Sequence, residues 1–183
     1  MSYCDAVKKM RPDNLNVHYH DTQYGFPIDD DNELFGRLIL EINQAGLSWN
    51  TILNKQENFR KAYSGFQINK VAKYSEKDRA RLLCDAGIIR NKLKVNAAIY
   101  NAQVILGFQK DFGSFKAWLD QHHPKTKEEW VTLFKKHFKF TGREITNEFL
   151  LSSGYLFNAT FSRSLSKLFK YFASNNFCLG RLN

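Results

Sequence analysis

Glu41 stands inside the apolar run Leu38-Ile39-Leu40-Glu41-Ile42, which continues into Asn43-Gln44-Ala45-Gly46-Leu47-Ser48-Trp49. A carboxylate in apolar surroundings is costly unless it meets a partner or a ligand. One acid, a tight Gly-Leu-Ser turn and an indole in close succession therefore form a candidate recognition pocket. Upstream, Tyr19-His20-Asp21 supplies a second aromatic and polar cluster able to close the same pocket. Each residue has a plainer alternative: a lone glutamate on a helix is usually solvated, and a tryptophan is usually core. The apolar neighbours of Glu41 favour the pocket.

Charge points to the partner class. Lys and Arg number 27 against 18 Asp and Glu, a net charge of +9. The last acidic residue is Glu148, which leaves Arg163, Lys167, Lys170 and Arg181 unopposed. A basic surface concentrates a protein on polyanions and gives salt-dependent phosphate affinity, although charge alone fits a basic but inert protein equally well. Cysteines at 4, 84 and 178 form no close pair, which fits a reduced protein better than a disulfide scaffold. The first residues carry Asp5, Lys8, Lys9 and Arg11 without an apolar core, and no uncharged run is long enough to span a bilayer. The expectation is a cytoplasmic protein with no membrane partner.

The elements that must position these residues read as helices. Prolines occur only at 12, 27 and 124, so the long stretch between the last two holds no helix-breaking ring. Apolar residues recur at helical spacing through Leu34, Leu38 and Ile42 and through Leu93, Ala97, Asn101, Val104, Ile105 and Phe108, and sustained alternation is absent. Start signals fall at Ser48, at Ser75 with Asp78, at Thr126 with Glu129 and at Thr141 with Glu144. The reading is an all-α fold of about eight or nine helices, near 30–44, 48–62, 67–73, 76–86, 90–110, 114–121, 127–137, 142–153 and 161–174. Residues 1–183 form one domain, a central helical lobe over about 30–156 with a smaller lobe made by the two chain ends.

With Gly25 and Pro27, Ile52-Leu53-Asn54-Lys55, Asn58-Phe59-Arg60 and Asp85-Ala86-Gly87-Ile88-Ile89-Arg90 added to the motifs above, the chain resembles the 3-methyladenine DNA glycosylase I family from about Cys4 to about Leu156. The resemblance implies a helix-hairpin-helix DNA glycosylase fold. The implied activity is monofunctional base excision repair, with 3-methyladenine and related alkylated purines flipped out of double-stranded DNA and excised by hydrolysis of the N-glycosidic bond. Methylation at N3 puts positive charge on adenine and weakens that bond, so the enzyme needs mainly to hold the base in a strained, desolvated pose. Glu41 would accept a hydrogen bond from the base and complement its charge. Tyr19 and Trp49 would be stacking faces, with Tyr24 where the family commonly has tryptophan. Gly46 and Leu47 would sit at the DNA boundary, Leu47 wedging into the gap left by the flipped nucleotide. Whether Glu41 activates a water or leaves it to attack a departing oxocarbenium-like sugar stays open.

Residues 127–153 would be the hairpin, its loop Phe138-Lys139-Phe140-Thr141-Gly142 offering backbone amides and a helix N-terminus to a phosphate, with Arg143 alongside. An ordinary αα-hairpin has the same pattern. No lysine lies between Lys139 and Lys167, and the last aspartate is Asp120, before the hairpin. That argues against a Schiff-base mechanism. Departures are specific: Ala6 replaces a pocket tryptophan, His137 a glycine, and Arg143 and Glu144 small uncharged residues. Of the family's zinc ligands Cys4 and His20 match, but only Cys178 follows downstream and no histidine follows His137. No cofactor, and no zinc, is expected. The chain is expected to act as a monomer. The rival reading is a non-catalytic or altered-specificity DNA-binding paralogue; a helical protein-interaction domain explains the charge poorly.

Overall fold

The computed structural model describes residues 3–156. All regular structure among them is helical: α1 (Tyr3–Val7), α2 (Leu15–Thr22), α3 (Asp31–Gln44), α4 (Trp49–Leu53), α5 (Gln56–Ala62), a 3₁₀ turn (Ser64–Phe66), α6 (Ile68–Val71), α7 (Glu76–Cys84), α8 (Lys92–Phe112), α9 (Phe115–His122), α10 (Lys127–His137) and α11 (Arg143–Ser152). The all-α expectation holds.

Helix α3 is the axis. Asp30 caps it by accepting from the Glu33 amide at 2.9 Å. From Leu34 to Asn43 every residue is buried, as befits a helix covered on all sides: α11, α4, α8 and α9 pack around it. The second structural member is the long helix α8, with α6, α7 and α9 against it. An aromatic cluster joins α8, α9 and the α10–α11 hairpin, with Phe108 stacked on Trp118 at 4.2 Å and Phe134 against Phe149 at 5.6 Å. No helix among the described residues is long and apolar enough to cross a membrane.

Three details differ from the sequence reading. The described residues alone hold eleven α-helices, because α1 and α2 were not foreseen: they are short, and few of their residues are buried. The single helix expected over 48–62 is two. The Asn54 side chain donates to the Asn50 carbonyl at 2.8 Å, competing with the backbone for it, and Lys55 leaves helical geometry with φ −108° and ψ 1°. Thr141 does not cap α11. Gly142 is its N-cap, without a side-chain cap bond, while the Thr141 hydroxyl turns inward to the carbonyls of Phe134 and Phe138 at the end of α10. The reason is the positive φ of 58° at Phe140, which redirects the chain before Thr141. The other capping boxes form: the Asp78 carboxylate accepts from Ser75 N and the Glu129 carboxylate from Thr126 N. The helix expected near 161–174, and with it the closing half of the smaller lobe, lies outside the described residues.

Candidate active site

The geometry of α3 sets the site. Arg37 and Glu41 are one turn apart on one face, and that face meets Ser152 at the end of α11. Glu41 is only 4% exposed, and Ser152 Oγ donates to its Oε1 at 3.0 Å. Its Oε2 has no hydrogen-bond partner among the described residues. The nearby guanidinium does not close on the carboxylate. Arg37 Nη1 donates to the Ser152 carbonyl at 2.9 Å, and its Cζ lies 5.0 Å from the Tyr19 ring centroid. Burial therefore dominates and pushes the Glu41 carboxyl up to about 8; Arg37 pulls it back in part, Glu148 pushes it further, and Ser152 opposes weakly.

Glu41 lines a cavity of about 130 Å³ together with Tyr3, Tyr24, Gln44, Trp49 and Glu148. That is small beside drug-sized pockets of roughly 300–1,000 Å³; it suits one flat ring. Trp49 and Tyr24 are in the wall. Tyr19 is behind it, 2% exposed, with its ring 5.1 Å from Trp49 and 6.1 Å from Tyr24. It backs the wall and does not offer a stacking face. Its hydroxyl and the Trp49 Nε1 are buried without a well-formed hydrogen bond among the described residues; burial outweighs the opposing influences of Arg37 and Ser152 and holds the Tyr19 phenol protonated far above its usual range.

Four contributors went unread as site residues in the sequence: Tyr3, Gln44, Glu148 and Ser152. Tyr3 supplies aromatic wall on α1, the helix where Ala6 lacks the family's tryptophan, with its ring 5.0 Å from Tyr24. Spacing held the signal for the others. Gln44 is three residues beyond Glu41, and Glu148 and Ser152 are one turn apart on α11, so each pair shares a helix face.

Leu47 and Gly46 form a rigid turn beside the pocket. Leu47 N donates to Gln44 O at 2.7 Å, Gln44 Nε2 to Leu47 O at 2.9 Å, and the Lys94 ammonium to the carbonyls of Asn43 at 2.8 Å and Ala45 at 2.7 Å. Gly46 adopts φ +82°, a conformation that a side chain would strain. Leu47 is left 38% exposed. At the other loop, Asn101 of α8 clamps Lys139 from both sides, accepting from its N–H at 2.8 Å and donating to its carbonyl at 3.1 Å. Lys139, Gly142 and Arg143 are exposed, Thr141 is buried, Lys139 Nζ lies 5.2 Å from the Tyr100 ring, and Arg143 pairs with Glu128 at 2.9 Å.

His20 does not gather metal ligands. Its Nδ1 lies 3.0 Å from Asp21 Oδ1 and its ring stacks on Tyr24 at 6.1 Å. No group of three or more His, Cys, Asp or Glu able to hold a metal occurs among the described residues. The side chain of Cys4 and all of Cys178 lie outside the described residues.

An acid with an ordinary value near 4.5 that rises to about 8 on folding stabilises the fold only while neutral. That contribution is whole below pH 4.5 and is lost as pH climbs through about 8, on the order of 3–5 kcal/mol in full. Thermal unfolding of Glu41→Gln should therefore match the parent near pH 5 and exceed it increasingly toward pH 9. Curves that stay parallel over that range would show that Glu41 ionises freely in the folded protein.

Comparison with known proteins agrees with this geometry. The family model for methyladenine glycosylase matches residues 9–135. DNA-3-methyladenine glycosylase 1 of Escherichia coli (strain K12) is 35% identical over 173 residues, covering 84% of this chain and 91% of that protein. In three dimensions the chain is similar to 3-methyladenine DNA glycosylase I from Staphylococcus aureus, with TM-score 0.70 and 30% identity over 79% of this chain and 87% of that one. It is likewise similar to a variant of 3-methyladenine DNA glycosylase I solved in complex with 3-methyladenine, with TM-score 0.74 and 29% identity over 79% and 88% of the two chains. Helical architecture, sequence and the Glu41 pocket converge, and the chain belongs to the methyladenine glycosylase family.

Proposed function

We propose that this protein is a monofunctional DNA glycosylase of base excision repair that takes 3-methyladenine, and purines alkylated to a similar cation, out of double-stranded DNA and hydrolyses the N-glycosidic bond. The observation that carries the reading is the buried carboxylate of Glu41, without an ion pair among the described residues, lining an aromatic-walled cavity sized for one ring. In the empty cavity Glu41 is held neutral by burial. A base cation entering between Trp49 and the tyrosines supplies the missing charge, favours the carboxylate, and receives in exchange a hydrogen-bond acceptor and electron-rich rings. Neutral adenine brings no such gain, so the pocket discriminates by charge.

The leaving base is already activated by its own charge, so positioning and desolvation supply most of the catalysis. Leu47, held out on its rigid turn, fills the space the flipped nucleotide vacates. The first turn of α11, which has no side-chain cap, offers its amides to a backbone phosphate, with Lys139 and Arg143 adding charge. Thr141 enters this grip only through its backbone. The protein acts in this reading as a cytoplasmic monomer, without zinc.

Three measurements test it. Purified protein incubated with methylated duplex DNA should release 3-methyladenine, and Glu41→Gln should slow release by at least about tenfold while DNA affinity is kept. Tight binding with no base released by the parent protein would favour the non-catalytic paralogue. Replacing Lys139 and Arg143 together by Ala should flatten log affinity against log salt by about two phosphate contacts; an unchanged slope would put the DNA on another face. Chelator should leave the unfolding temperature where it was, whereas a drop would mean that a metal holds the fold.

A further inference from the structure

The cavity that holds Glu41 is bounded by a second carboxylate. Glu148 is half-buried on α11, and burial is the main influence raising its carboxyl above the ordinary range. Among the described residues its oxygens meet neutral donors only: Tyr24 Oη at 3.4 Å from Oε2 and Asn147 Nδ2 at 3.1 Å from Oε1. Of the charges that act on this carboxyl, Glu144 raises it further and Lys127 lowers it. Neither Glu41 nor Glu148 has an ion pair among the described residues. The cavity thus holds two acids, an amide and aromatic rings, while the one guanidinium close by is committed to Ser152 and Tyr19.

A structural acid at position 148 would need no charge, since an amide could keep the contacts with Tyr24 and Asn147. What a second carboxylate adds is preference for a ligand carrying full positive charge, delocalised over a flat ring that presents N–H donors on more than one edge. The Oε2 of Glu41, which has no hydrogen-bond partner among the described residues, is an independent sign that such a donor belongs in the cavity. We propose that Glu148 is a second recognition residue which, with Glu41, makes the pocket selective for cationic over neutral nucleobases, the class of purines alkylated on a ring nitrogen. The proposal rests on the base-pocket reading above and assigns to Glu148 a share of its charge selectivity.

The test compares two compounds in each protein by calorimetry: 3,9-dimethyladeninium, which carries its charge permanently, and the neutral isostere 3,9-dimethyl-3-deazaadenine, with carbon in place of N3. Glu148→Gln should weaken binding of the cation by about tenfold and that of the isostere by less than about twofold. Glu148→Ala should show the same differential; because the ratio is taken within one protein, partial loosening of the fold cancels. An unchanged cation-to-isostere ratio in both variants overturns the assignment and leaves Glu148 a structural residue. If the parent protein binds neither compound, the base-pocket reading fails and the proposal with it, and that result is distinct because it shows in the unmutated chain.

Discussion

Helix α3 buries a carboxylate that forms no ion pair among the described residues, and the rest of the site follows from how that cost is contained. Arg37, one turn back, holds the α11 terminus through the Ser152 carbonyl and lies over Tyr19. It steadies the pocket wall while leaving Glu41 only partly compensated. Ser152 satisfies one carboxylate oxygen, and Tyr3, Tyr24 and Trp49 wall the cavity that the carboxylate lines. A well-paired Glu41 would be ionised at rest and indifferent to an arriving cation; a fully solvated one would have nothing to gain by desolvating it. The half-satisfied state is what lets the charge of a ligand decide whether binding is favourable.

Two helices tie this pocket to the surfaces proposed to meet DNA. Along α11, the exposed first turn and Glu148 are separated by five residues, about 7.5 Å of rise, so a phosphate held at the hairpin lies at a fixed offset from the base pocket. On α8, Lys94 holds the Leu47 turn and Asn101 holds the hairpin loop. These residues are seven apart, two turns on one face, which sets the two loops about 10 Å apart along that helix. A rigid spacing of wedge and phosphate grip suits an enzyme that must hold a distorted duplex while one base is extruded.

Much of this was legible in the sequence because it was periodic or locally capped. The long helices announced themselves by apolar spacing, and Ser48, Ser75 and Thr126 marked where shorter ones begin. Glu41 stood out as a charge in an apolar run. The short helices α1 and α2 did not, since they bury too few residues for a pattern to show, and Thr141 misled because a positive φ at Phe140 reverses the chain where local sequence predicts a cap. Tyr19 was assigned to the stacking surface for its chemistry, yet it lies one layer behind, a distinction that depends on packing between α2 and α4. Spacing puts Glu148 and Ser152 on one helix face, but no local signal records that this face meets α3, more than a hundred residues earlier in the chain, or that Tyr3 joins them. Asn101 sat in a core position of α8 and looked like an apolar stand-in; it is the clamp of the hairpin loop.

The central claim is that a buried acid is neutral in the empty pocket and ionises when a cationic base enters. Calorimetric titration of the protein with 3,9-dimethyladeninium at pH 7, repeated in buffers of different ionisation enthalpy, counts the protons exchanged on binding. The account predicts release of about one proton or more per base bound, reduced by about one in Glu41→Gln. Binding without proton release, or release that is the same in the variant, would contradict it.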